Sequence, residues 1–302
     1  MDEQKNNPMI DNAQSFSFKA ETRQLLNILI HSLYKDKEVF LRELLSNASD
    51  ALNRLRFEML TNQVVLDAES ELSIHINVDK DAKTITIRDN GIGMNRDEMI
   101  ENLGTIAQSG ARKFLEASKD KNSEFSQVIG QFGVGFYSVF MVAEWAKVSS
   151  HSFRPDDEAV TWYAIGEDNY QIAPAELTNR GTVIEIKLKE DAAEFADEFR
   201  LKEIIRKHSD YIGFPIYVGE DTTPVNKQSA IWRKSKSEVT DEQYKDFYRQ
   251  MTLDFEDPLL HLHTITDAPV QFYALLYFPG KAERAVFSLR QDDGLELYSR
   301  NI

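Results

Sequence analysis

The stretch VFLRELLSNASDALNRLRFE, residues 39–58, limits the possible folds more than any other part of this chain. At about 100° per residue, Leu41, Leu44, Leu45, Ala48, Leu52 and Leu55 share one face. The pattern predicts an amphipathic helix from about Lys37 to Leu60 with that face in a core. Its other side carries Glu43, Asn47, Asp50 and Arg54 in one narrow stripe, with Ser46 and Ser49 beside it. Ser, Asn and Asp are mediocre helix formers, because their side chains compete for the backbone. A purely solvated face is more readily built from Lys, Glu and Gln. The stripe is therefore a candidate ligand-facing wall, with a plain solvent face as the simpler alternative.

With 302 residues, two domains are the default. The net charge of −15, from 35 basic and 50 acidic residues, argues against a nucleic-acid surface, which needs clustered cations. There is no cysteine, which removes disulfide and thiol chemistry and suits a reducing, cytoplasmic setting. Residues 1–14 are polar and acidic, without a signal core, and are expected to be a disordered tail. The segments LLNILIHSLY and VGFYSVFMVAEWA are too short to span a bilayer, so no membrane role is expected.

Along the chain, FSFKAETRQLLNILIHSLY reads as a short strand feeding a helix at about Glu21. ELSIHINVDKDAKTITIRD alternates as a hairpin, NGIGM breaks it, and RDEMIENL is a short helix. YSVFMVAEW reads as a return to helix, followed by strands AKVSSHS, AVTWYAIG and GTVIEIKLK and an amphipathic helix in DEFRLKEIIRKHSDYI. The pattern lapses near VGEDTTPVNKQ, giving a linker at 219–230 between a first domain at 15–218 and a second unit at 231–302. In that unit, TDEQYKDFYRQM is helical and VQFYALLYFPG and AVFSLRQDDGLELYSRNI are strands.

Three further segments join the stripe as candidates. DNGIGM, 89–94, stands at a strand end, where Gly91 and Gly93 let the backbone approach a ligand; a plain turn is the alternative. GQFGVGF, 130–136, exposes backbone amides at a helix start, an anion cradle or a flexible hinge. It matches neither a P-loop nor a dinucleotide fingerprint. RGTVIEI puts Thr182 at the start of a strand.

In order and spacing, FLRELLSNASDALNRLR, DNGIGM, LGTIAQSG, GQFGVGFYS and GTVIEI resemble the ATP site of the gyrase, heat-shock-ninety, histidine kinase and MutL superfamily. Within it, the chain is most similar to the ninety-kilodalton heat-shock chaperones from about Phe16 onward. The resemblance implies an α/β two-layer sandwich of the Bergerat type, with helices on one face of a mostly antiparallel sheet, followed by the incomplete start of an α/β middle domain. It implies Mg²⁺-dependent hydrolysis of ATP that drives clamp closure around client proteins.

The resemblance also assigns roles. Glu43 would be the catalytic base and Asn47 an oxygen ligand of Mg²⁺, with Asp50 lining the pocket. Asp89 would accept a hydrogen bond from the adenine amino group, with Thr182 supporting the base through water and Gly93 and Met94 packing on it. Asn102 and Phe136 would line the sugar and phosphate end, and Gln131, Gly133, Val134, Gly135 and Phe136 would offer backbone amides. Residues 99–130 would be a lid.

Gln108 departs from the family pattern at a position that is usually basic, and Arg112 or Lys113 are possible substitutes. Relatives dimerise through a C-terminal domain absent here and use a middle-domain arginine beyond residue 302. A monomer with slow turnover is therefore expected. Two rivals stand beside this reading: a DNA-linked ATPase of the gyrase or MutL class, and a nucleotide-binding fragment without turnover. His31 reads as a core histidine. His261 and His263 share a strand phase without further metal ligands, and Trp232 and Phe255 read as packing residues.

Overall fold

The computed structural model describes residues 12–18, 37–104, 135–252, 254, 256–268 and 271–280. The chain forms two compact units, one ending at Asn226 and the other starting at Lys227.

The first unit is built on an eight-stranded sheet: β1 (Gln14–Ser17), β2 (Ile74–Asp79), β3 (Thr84–Asp89), β4 (Ala143–His151), β5 (Val160–Ala164), β6 (Asn169–Pro174), β7 (Gly181–Leu188) and β8 (Ile216–Val218). The strand order is β1-β6-β5-β4-β7-β3-β2-β8, with all pairs antiparallel except β2–β8. This agrees with the expected mostly antiparallel sandwich. In the central strands alternate residues are buried, namely Ile85 and Ile87 on β3, Ile184 and Ile186 on β7, and Ala146 and Val148 on β4. That period of two sends one face of the sheet into the core and the other toward water.

Helix α1 (Val39–Glu58) covers this buried face with the six apolar residues picked out by periodicity, all at 5% exposure or less. Helix α2 (Arg96–Gly104) follows the hairpin, and α3 (Glu198–His208) follows β7. A 3-10 helix, Gly135–Met141, packs on α1. The N-terminus of α1 is fastened to α3 through Glu38, which bonds Arg200, Lys207 at 2.9 Å and His208 at 3.1 Å.

Two expectations change. The helix expected over YSVFMVAEW ends at Met141, and Ala143–Trp145 begin β4 through a register irregularity. An unbroken apolar run has no period to tell helix from strand. Strands β6 and β8 have no counterpart among the expected elements, since each is short and lies beside turn-rich sequence. The segment after β8 is also held to the first unit: the Asn226 amide accepts from Ile216 N–H and donates to the Ile212 and Phe214 carbonyls.

In the second unit, α4 (Asp241–Thr252) buries Tyr244 and Tyr248, and β9 (Leu260–Thr266) pairs antiparallel with β10 (Phe272–Phe278). His263 uses both ring nitrogens, with Nδ1 2.6 Å from the Tyr244 hydroxyl and Nε2 2.9 Å from the Trp232 carbonyl. That leaves it no nitrogen for a metal. Trp232 packs edge-on against Phe247. The 1–14 tail call falls largely, and the calls on His31, Gln108, Arg112, Lys113, Phe255 and the strand at 285–302 fall wholly, outside the described residues. Among the described residues no helix is long and apolar enough to cross a membrane.

Candidate active site

The registers of β3, β7 and β4 stack three cross-strand rows under α1. Ile85, Ile186 and Ala146 form the first, and Ile87, Ile184 and Val148 the second. The third is polar: Asp89, Thr182 and Ser150, at 5%, 8% and 0% exposure. A sheet that is dry for two rows and polar in the third makes that end a candidate site, because buried polar groups cost stability unless they are bonded.

Asp89 ends β3. Its Oδ1 accepts the Gly91 N–H at 2.9 Å. Burial pushes the carboxyl up to about 7 from an ordinary 3.8, against the smaller pull of Gly91 N–H and the Arg88 charge. Beyond it the chain turns back across α1, where Ile92 N–H donates to the Ala51 carbonyl at 3.1 Å. Gly93 has φ +62°, and a β-carbon there would lie 1.8 Å from the His151 carbonyl oxygen, so only glycine fits. Met94 is half-buried and donates its N–H to Ser150 Oγ at 2.9 Å. Asn90 faces away into a structural role, bonding Ser73 N–H and the Glu71 carbonyl.

The α1 stripe is less uniform than its periodicity suggests. Asn47 and Asp50 are exposed, while Glu43 is 7% exposed. Glu43 packs against Gly135: a β-carbon at that position would lie 2.3 Å from Glu43 Oε2, so the missing side chain makes room for the carboxylate. Burial raises the Glu43 pKa, opposed by Arg42, which bonds its Oε1 at 3.0 Å. Phe136 is half-buried, its ring edge-on to Tyr137 and Trp162. Asn102 is exposed on α2, its Nδ2 3.8 Å from Met94 Sδ.

The structure thus gathers Asp89, Thr182, Gly93 and Met94 at one end of α1, with Asn102 beside Met94. Glu43, Gly135 and Phe136 lie toward the other end, with Asn47 and Asp50 on the wall between. Gln131, Gly133, Val134 and most of the 99–130 lid lie outside the described residues. Ser150 was not among the expected site residues. Its signal was a hydroxyl in the same strand phase as Ala146 and Val148.

Two family profiles match. Residues 34–183 match the histidine kinase-, DNA gyrase B- and HSP90-like ATPase family, and residues 218–302 match the Hsp90 protein family. Among similar proteins, the chaperone protein HtpG of Hydrogenovibrio crunogenus is 43% identical over 97% of this chain and 49% of its own length. That of Actinobacillus pleuropneumoniae serotype 3 is 41% identical over 97% and 49%. The HtpG of Nitratidesulfovibrio vulgaris is 46% identical over 95% and 46%. The chain therefore spans about half the length of these relatives. With an ATPase-family match across α1 and strands β2 to β6, an Hsp90 match across the second unit, and this identity along nearly all of its length, the chain belongs to the Hsp90 family.

Proposed function

We propose that this pocket binds ATP with Mg²⁺ and hydrolyses it to ADP and phosphate. In the longer proteins of the family, that reaction would drive clamp closure around client proteins in the cytoplasm, with dimerisation bringing two such domains together. The observation that carries the reading is Asp89: a buried carboxylate, without an ion pair among the described residues, at a turn whose glycines, Gly91 and Gly93, pack tightly on Ala51 and His151 and hold it against α1 and β4. Such a group suits the amino group of a base, and a charge-assisted bond of this kind is worth about 1.5–3 kcal/mol.

From Ala51, which holds the Gly91–Gly93 turn, to Glu43 is about two turns of α1, or about 12 Å along its axis. That is a suitable span between a base and its terminal phosphate. Glu43, whose pKa burial raises, would orient the attacking water and take its proton. Asn47 and Asp50 line the wall between.

Among the described residues no group of three or more His, Cys, Asp and Glu side chains can hold a metal by themselves. Asn47, exposed on α1 one turn from Glu43, would offer Mg²⁺ its carboxamide oxygen as one ligand among phosphate oxygens and water. When bound, the ion would neutralise charge on the phosphates. The backbone amides of Gln131, Gly133, Val134, Gly135 and Phe136 would do so from the protein side, with Asn102 at the sugar. These roles rest on the resemblance together with the positions of the described members.

Calorimetric titration of ATP with and without Mg²⁺, combined with phosphate release, tests the proposal. Binding by wild type and its loss in Asp89→Asn are expected. Near-equal affinity in the two proteins would overturn the assignment of the base site.

A further inference from the structure

Ser150 has three hydrogen-bond partners and no exposure to solvent. Its Oγ is 2.9 Å from Met94 N, 2.9 Å from the Gly181 carbonyl and 3.0 Å from Thr182 Oγ1. A serine hydroxyl donates one hydrogen and accepts two. The Gly181 carbonyl can only accept and the Met94 amide can only donate. The Ser150 hydrogen therefore goes to Gly181, and its lone pairs receive Met94 N–H and the Thr182 hydroxyl.

One consequence concerns Thr182 rather than Ser150. Threonine has a single hydroxyl hydrogen, and here it is committed to Ser150. What Thr182 retains is acceptor capacity alone. Directly across the ladder stands Asp89, which when ionised also only accepts. Gly181, with φ +115° and its Cα packed against the Asp89 carbonyl, keeps these two strand ends in close register.

We infer that Ser150 is a positioning residue that fixes the hydrogen-bond polarity of Thr182. With Asp89 ionised, the Asp89–Thr182 row then presents only acceptors to the 6-position of a base, and it selects a purine with an exocyclic amino group there over one with a carbonyl. A 6-oxopurine brings a lone pair where the pocket already has lone pairs, and a buried mismatch of this kind discriminates more strongly than a lost contact. The inference rests on the ATP-site reading above.

ATP and ITP differ at this position and share the same triphosphate, so their affinity ratio isolates the effect. Calorimetry at pH 8 on wild type, Ser150→Ala and Ser150→Thr reads it. Wild type should favour ATP. Ser150→Ala releases the Thr182 hydrogen to serve as a donor, and the ATP-to-ITP preference should fall about fivefold or more, partly through better ITP binding. Ser150→Thr keeps a hydroxyl and should keep the preference. A merely structural Ser150 would weaken both nucleotides alike; an unchanged ratio in Ser150→Ala overturns the inference while leaving the ATP site intact.

If Ser150→Ala does not fold, Thr182→Val decides. Loss of an acceptor should weaken ATP and spare ITP, and equal weakening of both would overturn the inference. Wild type that binds neither nucleotide would bring down the ATP-site reading, and this inference with it.

Discussion

The Glu43 carboxylate occupies the space that a side chain at Gly135 would fill, its Oε2 2.3 Å from where that β-carbon would stand. Two segments almost a hundred residues apart thus share one small volume, one giving the acid and the other giving nothing so that the acid fits. Gly135→Ala should displace the flexible end of Glu43 rather than the backbone. Stability should fall by about 1 kcal/mol or less, while turnover drops by about 10²-fold, the usual consequence of shifting a catalytic group by an ångström. Melting curves and phosphate release on the same samples check this; equal loss of stability and activity would contradict it.

Glu43→Gln should keep ATP affinity within about threefold of wild type and lower turnover by about 10²- to 10⁴-fold, since a base acts mainly in the transition state. Calorimetry paired with single-turnover hydrolysis separates the two quantities. Hydrolysis at the parent rate would move the base elsewhere.

Asp89 links binding to pH. Folding raises its pKa from 3.8 to about 7, so ionisation works against the folded state. Wild type should lose stability relative to Asp89→Asn as pH rises between those two values and then level off. ATP binding should run the other way, weakening as pH is lowered through about 7, because the protonated carboxyl is a poorer acceptor. Denaturant midpoints and nucleotide affinities measured from pH 5 to 8 test both slopes.

Glu38 has the opposite sign. Burial alone would raise its pKa, but hydrogen bonds from Lys207 and His208 and the charges of Lys207 and Arg200 hold it at about 2 instead of 4.5. Its contribution is fully present above pH 4.5 and is lost as pH falls through about 2. Three of these partners are partly solvated, so Glu38→Gln should cost about 1 kcal/mol at pH 7 and little near pH 2. Urea titrations at pH 7 and pH 3 would show whether the gap narrows.

Much of the fold could be read from the sequence because its main elements keep a clean period. The α1 face and the hairpin from Ile74 to Asp89 are examples, and the motif glycines marked where the backbone had to come close. What could not be read depends on partners distant in the chain. Glu43 and Asn47 occupy one stripe by periodicity, yet the first is buried against Gly135 and the second is exposed. Ser150 sits in AKVSSHS in the strand phase of Ala146 and Val148, and its partners Gly181 and Thr182 come from β7, more than 30 residues further on. Glu38 gave no sign of its role, since its three partners lie on α3, more than 160 residues away.

The parallel strand β8 is the last of the eight to be made, yet it pairs with β2, one of the first. During synthesis β2 is therefore left with an open edge while all of β3 to β7 and α3 emerge. That edge can be closed in its final form only once the ribosome has released Asn226, whose amide holds the β8 segment in place. An unpaired edge is the part of a sheet most prone to join a neighbouring chain. A nascent chain of this protein is thus exposed to that hazard from the emergence of β2 until that of Asn226, and a slow stretch of codons just before residue 226 would lengthen the exposure.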